Sequence, residues 1–152
     1  MTKRGDTINA PIGSPIEQAH PADVVFGANG LNSRQQALLE RLPGYGSQTV
    51  LKKRDVSMLD LSAITAKTGD EFAMFTRKGK RLIVRGDNHN VPIGKMDAIR
   101  PRNDGYQWSG HTHPGFGDTS LIPSDGDRQI LEAFEQSKSA LYNSAGRFSF
   151  VE

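Results

Sequence analysis

The heptapeptide DEFAMFT, residues 70–76, decides how this chain folds. The side chains at positions 72–75 are apolar and consecutive. Because successive side chains of a β-strand point to opposite faces, such a strand is apolar on both faces. It belongs inside a sheet that has further layers on both sides. Residues 81–85 are its predicted hairpin partner, across a polar turn at residues 77–80.

Helical and extended segments alternate on both sides of this hairpin, which favours an α/β fold. Before the hairpin, we expect a helix that begins at Ser33, with Ser33 and Gln36 as its capping box, and that ends at Pro43-Gly44. A strand should follow at residues 49–56. The next helix should be capped by Ser57 and Asp60 and end at Gly69. After it, we expect a short helix at residues 95–100 ended by Pro101, a strand at 106–113, a loop at 114–123, a helix at 124–136, and a hairpin of residues 140–142 and 147–151. The sequence therefore predicts a mixed β-sheet sandwiched by helices.

The chain has 152 residues, with 19 Lys plus Arg against 17 Asp plus Glu, and a net charge of +2 with histidine neutral. Residues 1–30 are punctuated by Gly and Pro and are predicted to be a linker or a loosely docked lead-in, whereas residues 31–152 suit one domain. The small net charge gives no argument for a nucleic-acid partner. No stretch approaches the roughly 18 apolar residues of a membrane span, and no signal peptide is visible.

The chain has four histidines and no cysteine. The absence of cysteine excludes a disulfide scaffold, a cysteine zinc ribbon, an iron–sulfur cluster and a thiol nucleophile. His111 and His113 end a predicted strand two residues apart, so both imidazoles point to the same face and can bind one metal ion. The alternative is two unrelated histidines beside a loop.

Asp127 begins the apolar face of the helix that follows. Ile130, Leu131 and Phe134 lie three, four and seven residues after it, on the same side of the helix. A buried carboxylate needs a partner such as a metal or a base, so Asp127 is a candidate third ligand. Ser124 and Asp127 also match a capping box, and the two roles are compatible. Two histidines and one carboxylate leave a position for water, which is the catalytic pattern for zinc.

Glu71 is the candidate general base of such a site. It opens the apolar strand on the face of Ala73 and Phe75, where an unpaired carboxylate would be costly. The alternative is an exposed residue at the start of the strand. Weaker candidates lie on polar helix faces, namely Glu40, Glu132 and Glu135.

The run Ser109-Gly110-His111-Thr112-His113-Pro114, followed by Ser124-Asp125-Gly126-Asp127, resembles the signature of the JAMM (MPN-plus) metalloproteases. In that signature a Glu follows a helix, and His-Ser/Thr-His-Pro, a short loop and Ser-x-x-Asp come after it. The resemblance covers residues 57–150 and implies a JAMM/MPN fold with a cytidine-deaminase-like layered architecture. It implies that His111, His113 and Asp127 bind Zn²⁺. Glu71 would then move the proton and Ser124 would stabilise the oxyanion while a peptide or isopeptide bond is hydrolysed.

The chain departs from eukaryotic deubiquitinating members, because the region around Glu71 lacks their glycine-containing strand and the loop at residues 115–123 is longer than the commonest form. It is more similar to bacterial JAMM-like domains at the ends of polymorphic toxins. That resemblance implies a C-terminal effector domain that is exported as part of a larger toxin and acts in a target-cell cytoplasm. An immunity protein would be its natural partner, beside a protein or peptide substrate.

Three neighbouring features complete the expectations. Gly115-Phe116-Gly117 is a candidate substrate loop or a plain connection, and Trp108, which alternates with Ser109, is expected in the core on the face opposite His111. A basic cluster is predicted at the solvated end of the hairpin, with docking of an acidic partner as the alternative; its members are Arg77, Lys78, Lys80, Arg81 and Arg85.

Two functions compete with a peptidase. One is another single-zinc hydrolase, of the phosphodiesterase type. The other is a catalytically silent JAMM-like binding module that has kept the fold. A nucleobase deaminase is disfavoured, because such enzymes normally hold zinc with a Pro-Cys-x-x-Cys segment.

Overall fold

The computed structural model describes residues 30–93 and 99–152 of the chain. The predicted lead-in at residues 1–30 therefore lies outside the described residues, apart from Gly30. Within the described residues there are four α-helices, namely α1 (Ser33–Glu40), α2 (Met58–Thr68), α3 (Ile99–Asn103) and α4 (Asp125–Ala133). The strands are β1 (Gln48–Lys52), β2 (Phe72–Arg77), β3 (Lys80–Arg85), β4 (Gln107–His113), β5 (Ser139–Asn143) and β6 (Phe148–Val151). Short 3-10 turns lie at Lys53–Asp55 and Asp118–Leu121.

The six strands form one mixed sheet in the order β1-β3-β2-β4-β5-β6. All neighbouring strands are antiparallel except β4 and β5, which are parallel. The prediction of an α/β fold with a mixed sheet is confirmed, and so are both predicted hairpins, β2–β3 and β5–β6. No helix in the described part of the chain is long and apolar enough to cross a membrane.

Helices cover both faces of the sheet. On one face, α1 and α2 pack over Phe72 and Met74 of β2. On the other face, Leu131 and Phe134 at the end of α4 pack against Phe75. The strand with two apolar faces therefore lies in the middle of the molecule, as its sequence predicts, and residues at its start are buried between layers.

Helix α2 is bonded to the middle of the sheet through Thr112. Ser57 and Asp60 form the predicted capping box, and Gly69 ends the helix with a φ of +78°. Its Thr65 hydroxyl lies 2.6 Å from the hydroxyl of Thr112 on β4. The same Thr112 oxygen accepts a hydrogen bond of 2.9 Å from the backbone N–H of Phe72. Thr112 thus ties β4 to α2 and to the start of β2, and it turns the neighbouring histidines toward the opposite face.

Gly110 allows α2 and β5 to approach β4 closely. A Cβ at this position would lie 2.8 Å from the backbone oxygen of Ala140 and 3.1 Å from the sulfur of Met58. Any side chain would therefore push the helix or the strand away.

A β-bulge corrects the expectation for Trp108. Ala73 pairs with His111 and Phe75 pairs with Trp108, so a two-residue step on β2 matches a three-residue step on β4. Ser109 is the extra residue, and it shifts the alternation by one. Trp108 is buried as expected, but it lies on the same face as His111, with ring centroids 5.0 Å apart.

Two predicted boundaries in the first half of the fold are also wrong by a few residues. The cap of α1 is Asn32 with Gln35, instead of Ser33 with Gln36, because the buried Gln35 also donates a hydrogen bond to Asp60 across the helix pair. The strand expected at residues 49–56 ends at Lys52 and turns into a 3-10 segment.

Two helix boundaries in the second half differ as well. The predicted helix at 95–100 falls partly on residues that are not described, and the observed α3 continues through Pro101. Proline is tolerated there because the first turn of a helix needs no N–H donor. Helix α4 ends at Ala133, three residues before Gln136, whose side chain instead bonds both backbone groups of Trp108.

Candidate metal centre

Four side chains from three elements meet where β2 begins and β4 ends. His111 and His113 come from β4, Asp127 from the first turn of α4, and Glu71 directly precedes β2. Strand alternation and the helical period send all four toward the layer between the sheet and α4. Glu71, His111 and Asp127 are buried, with exposed fractions of 7%, 2% and 7%. The arrangement brings together the residues that the sequence singles out for metal chemistry.

Asp127 makes the shortest contacts in this group. Its Oδ1 lies 3.0 Å from Nε2 of His111, and its Oδ2 lies 3.2 Å from Nε2 of His113. The two Nε2 atoms are 3.1 Å apart. Glu71 stands further off, with Oε2 at 3.9 Å from Nε2 of His113. The two imidazoles therefore lie side by side, each against a different oxygen of the Asp127 carboxylate, and a second carboxylate borders the group.

The capping box of α4 holds the Asp127 carboxylate in place. The backbone N–H of Ser124 donates to Oδ2 of Asp127 over 2.9 Å, and the backbone N–H of Asp127 donates to Oγ of Ser124 over 3.0 Å. One carboxylate therefore caps the helix and faces both imidazoles. The cap and the contact with the histidines, which the sequence presents as alternatives, coexist.

The hydrogen bond of His113 to the backbone decides which of its ring nitrogens is free. Nδ1 lies 3.1 Å from the backbone oxygen of Ser120, and a carbonyl can only accept, so Nδ1 carries a hydrogen. In the neutral ring, Nε2 then presents a bare lone pair to an oxygen of Asp127. Two lone pairs at 3.2 Å repel unless a cation lies between them. That cation is either a proton on His113 or a metal ion.

The pKa shifts of the metal-free protein agree with this geometry. Burial lowers the pKa of His113, but the hydrogen bond to Asp127 and the charge of Glu71 outweigh burial, so the pKa is raised above 6.5. Burial dominates for His111, whose pKa is lowered. Burial also raises the pKa of Asp127, yet the hydrogen bonds from both imidazoles hold it well below its usual 3.8. Of the two imidazoles, His113 therefore takes up a proton more readily than His111 does.

Glu71 is the one carboxylate here with a raised pKa. Burial lifts it from 4.5 to about 7, the charge of His113 opposes the rise, and Asp127 and Asp87 add to it. Its backbone is fixed by hydrogen bonds with Asp87 and Gly86, each of 2.8 Å. A carboxylate that titrates near neutral pH can both accept and return a proton.

Two sets of ligands are compatible with these positions. Ligand atoms of Glu71, His111 and His113 all lie within 4.8 Å of one another, and this group could hold a metal ion. Asp127, however, is nearer to both imidazoles than Glu71 is. We favour Asp127 as the third ligand on these distances, and Glu71 as its neighbour.

The donor set fits zinc. Four ligands at 2.0–2.1 Å in a tetrahedron lie about 3.3 Å from one another. The two Nε2 atoms are 3.1 Å apart, and each has a different oxygen of Asp127 at 3.0 or 3.2 Å, which are only slightly shorter distances. Nδ1 of His113 has the backbone partner that metal-bound histidines usually have. His111 departs from that rule, because its Nδ1 is buried and has no partner among the described residues.

A cavity of about 430 Å³ opens beside these side chains. Glu71, His111, Asp127 and Ser124 are among its lining residues. The sequence did not identify its other walls, which come from Trp108, from Ile130 and from loop residues including Tyr45, Val91 and Ile93. The bulge hides Trp108 from a simple alternation, although a glycine within a strand pattern is a signal for one. The loop residues follow no period that could have revealed them.

The predicted substrate loop lies outside this cavity wall. Gly115 has a φ of +122° and exchanges hydrogen bonds with Ser144, through its N–H to the hydroxyl and its oxygen from the backbone. The oxygen of Gly117 accepts from Asn143, and Phe116 is 62% exposed. The segment is thus tied to the β5–β6 turn, and its role toward a substrate stays a prediction.

The basic cluster on the hairpin is smaller than the sequence suggested. Arg85 forms an ion pair of 2.9 Å with Asp70, and the half-buried Arg81 donates to the backbone oxygen of Val56. Only Arg77, Lys78 and Lys80 remain as an exposed group. The two inner arginines therefore stabilise the fold.

No family model, no curated protein and no solved structure matches this chain. The geometry of Glu71, His111, His113 and Asp127 is therefore the basis for proposing a function.

Proposed function

We propose that this chain is a zinc-dependent hydrolase of amide bonds, of the JAMM type, which cleaves a peptide or an isopeptide bond. The observation that carries the proposal is that the Nε2 atoms of His111 and His113 lie 3.1 Å apart and each lies 3.0–3.2 Å from an oxygen of Asp127, beside a second, protonatable carboxylate. His111, His113 and Asp127 would hold the metal, which leaves one position open, as in catalytic zinc sites. Zinc in such a site acts as a Lewis acid and lowers the pKa of a coordinated water to about 7.

Glu71 acts as the general base and then as the general acid. It is buried next to the ligands without being their closest neighbour, and in the metal-free protein burial raises its pKa to about 7. In the first step its carboxylate removes a proton from the attacking water. In the second step it delivers that proton to the nitrogen of the leaving amine.

Ser124 stabilises the negative charge that develops on the amide oxygen. Its hydroxyl oxygen already accepts the backbone N–H of Asp127, so its own hydrogen is available to donate. The residue borders the cavity next to Asp127 and Glu71. A donor fixed at this place stabilises the transition state more than the ground state.

The resemblance to bacterial JAMM-like domains extends the proposal to biology. We propose that the protein acts as the effector part of a toxin on a protein or peptide of the target cell, with an immunity protein as its partner. Producing the chain in a bacterial cytoplasm tests this idea. Growth arrest that depends on Glu71 supports it, whereas equal growth with wild type and Glu71→Gln argues against a toxic peptidase.

The decisive experiment combines metal content with hydrolysis. Purified wild-type protein should contain about one zinc per chain and cleave amides in a mixed set of peptides and isopeptides. Glu71→Gln should keep the zinc and lose at least about 100-fold in kcat, because it removes the proton carrier. Glu40→Gln is the matched control, since Glu40 is exposed on α1, and it should change neither quantity. Full activity in Glu71→Gln would refute the assignment of the base.

A further inference from the structure

The cavity beside the candidate metal ligands is lined by two chemically different sets of residues. The polar set includes the site residues already described. The apolar set carries no charged side chain and consists of Ala73, Phe75, Val91, Pro92, Ile93, Trp108 and Ile130. The ring of Trp108 lies directly beside that of His111, with centroids 5.0 Å apart. Tyr45, His89 and Asn90 also line the cavity and are exposed. A substrate that reaches the ligands therefore meets an apolar recess directly next to the reaction centre.

These apolar walls are preformed. Phe75, Ile93 and Trp108 have exposed fractions of 0%, 6% and 2%, and all three belong to the core between the sheet and α4. The ring of Phe75 stacks on Phe134 with centroids 5.5 Å apart. Because core packing already holds the walls in place, binding of a side chain in the recess costs no conformational entropy for ordering them.

The size and charge of the recess define its occupant. A dry cavity of about 150 Å³ accepts benzene, so about 430 Å³ has room for an aromatic ring together with the polar groups at the reaction centre. The walls contain no lysine or arginine to select an acidic side chain. Glu71 and Asp127 are the acidic side chains that line the cavity, and both belong to the candidate metal site.

We propose that this recess is the specificity pocket of the enzyme and takes a large apolar side chain, preferably an aromatic one, of a residue that flanks the scissile amide. The proposal rests on the proposed function and names its substrate class. Peptides with Phe or Leu beside the cleaved bond are substrates, whereas a glycine at this place leaves the recess unfilled. The preference for Phe over Gly should be at least about tenfold in kcat/KM.

Trp108 is the only tryptophan of the chain, so its fluorescence reports on the recess without any hydrolysis. We would titrate the zinc-loaded protein with N-acetyl-phenylalaninamide and, in parallel, with N-acetyl-glycinamide. The expected result is a saturable change in Trp108 emission with the phenylalanine compound and none with the glycine compound. Absence of a change with both compounds would overturn the pocket.

Ile130 provides the variants, because it lines the recess from α4 and is only half-buried. Ile130→Phe should fill the space and weaken binding of the phenylalanine compound at least about tenfold, with zinc content unchanged. Ile130→Ala removes part of the apolar wall but leaves the space open, so it should weaken binding clearly less than Ile130→Phe does. Val50→Phe, on the exposed edge strand β1, is the matched control and should change nothing. If Ile130→Ala loses binding as strongly as Ile130→Phe does, the loss is structural and the pocket assignment is refuted.

The binding and cleavage results separate this proposal from the proposed function. Saturable binding that Ile130→Phe blocks supports the pocket even if no amide is cleaved, and the hydrolase assignment then fails alone. Cleavage without any preference at the flanking residues, together with no binding, overturns the pocket and leaves the hydrolase standing.

Discussion

Asp127→Asn and Glu71→Gln form a matched pair that decides which carboxylate binds the metal. Both substitutions keep the size of the side chain and remove one negative charge. Both side chains are buried, each with an exposed fraction of 7%. Asn at position 127 also keeps an oxygen that can accept the N–H of Ser124. The two variants therefore differ mainly in where the lost charge stands relative to the imidazoles.

The distances set the expected magnitude. Ligands of tetrahedral zinc lie about 3.3 Å apart, which the contacts of Asp127 at 3.0 and 3.2 Å satisfy and the contact of Glu71 at 3.9 Å does not. Removing an outer partner of a ligand already costs about 10–100-fold in metal affinity, so loss of a ligand should cost at least about 100-fold. This corresponds to about 2.8 kcal/mol. Glu71→Gln should change the affinity by less than about tenfold, below the range for an outer partner, because Glu71 at 3.9 Å makes no hydrogen bond to His113.

Competition for Zn²⁺ against a chromophoric chelator measures both affinities at one pH. Circular dichroism of the metal-free variants checks that each is folded, and Glu40→Gln shows the effect of removing a distant charge. The reverse order, with a large loss in Glu71→Gln and a small one in Asp127→Asn, would refute the assignment. It would mean that Glu71, His111 and His113 bind the metal and that Asp127 is only a cap.

Three further predictions follow from the same contacts. Thr112→Val removes the acceptor of the Phe72 N–H and the partner of the Thr65 hydroxyl. The free energy of unfolding in urea should therefore fall by about 2–4 kcal/mol, against about 1 kcal/mol for Thr65→Val. Equal losses in the two variants would contradict the role of Thr112 in tying β4 to α2 and β2. Ser124→Ala should lose about 1 kcal/mol of stability through the cap, and about 100-fold or more in kcat at unchanged zinc content. Ser124→Thr keeps the hydroxyl and should retain both stability and kcat. A fully active Ser124→Ala would exclude the oxyanion role. Zinc binds neutral imidazoles, and the pKa of His113 in the metal-free protein is raised above 6.5. As the pH is lowered, zinc affinity should therefore already begin to fall before pH 6.5 is reached, and zinc binding should release protons. An affinity that stays constant down to pH 6 would contradict the protonation assigned to the His113 ring.

Local periodicity accounts for the parts of the site that the sequence predicted. His111 and His113 share a face because a strand alternates, and Asp127 faces them because it stands one helical step from Leu131. Glu71 is buried because the strand that it opens has two apolar faces. Each of these positions depends on a regular element whose sequence pattern is strong.

The features that the sequence missed depend on pairing between distant segments. Trp108 changed face because the register between β2 and β4 contains an extra residue, and that register is not written in either strand alone. Gln35 displaced the expected cap of α1 by bonding to Asp60 on another helix. The loop residues that enclose the cavity, such as Ile93, come close to the metal ligands only through the tertiary fold.

The shared carboxylate of the α4 cap would couple the proposed metal binding to local opening of the helix. The first turn of α4 cannot fray unless Asp127 gives up both its cap contacts and the imidazoles. A ligand that binds only the closed state raises the opening free energy by RT ln(1 + [L]/Kd). Amide hydrogen exchange at Asp127 and Arg128 should therefore slow with each increase in free zinc. Ile130 lies one turn further along α4 and lines the cavity. Removing the proposed ion with a chelator would therefore also loosen this wall of the cavity.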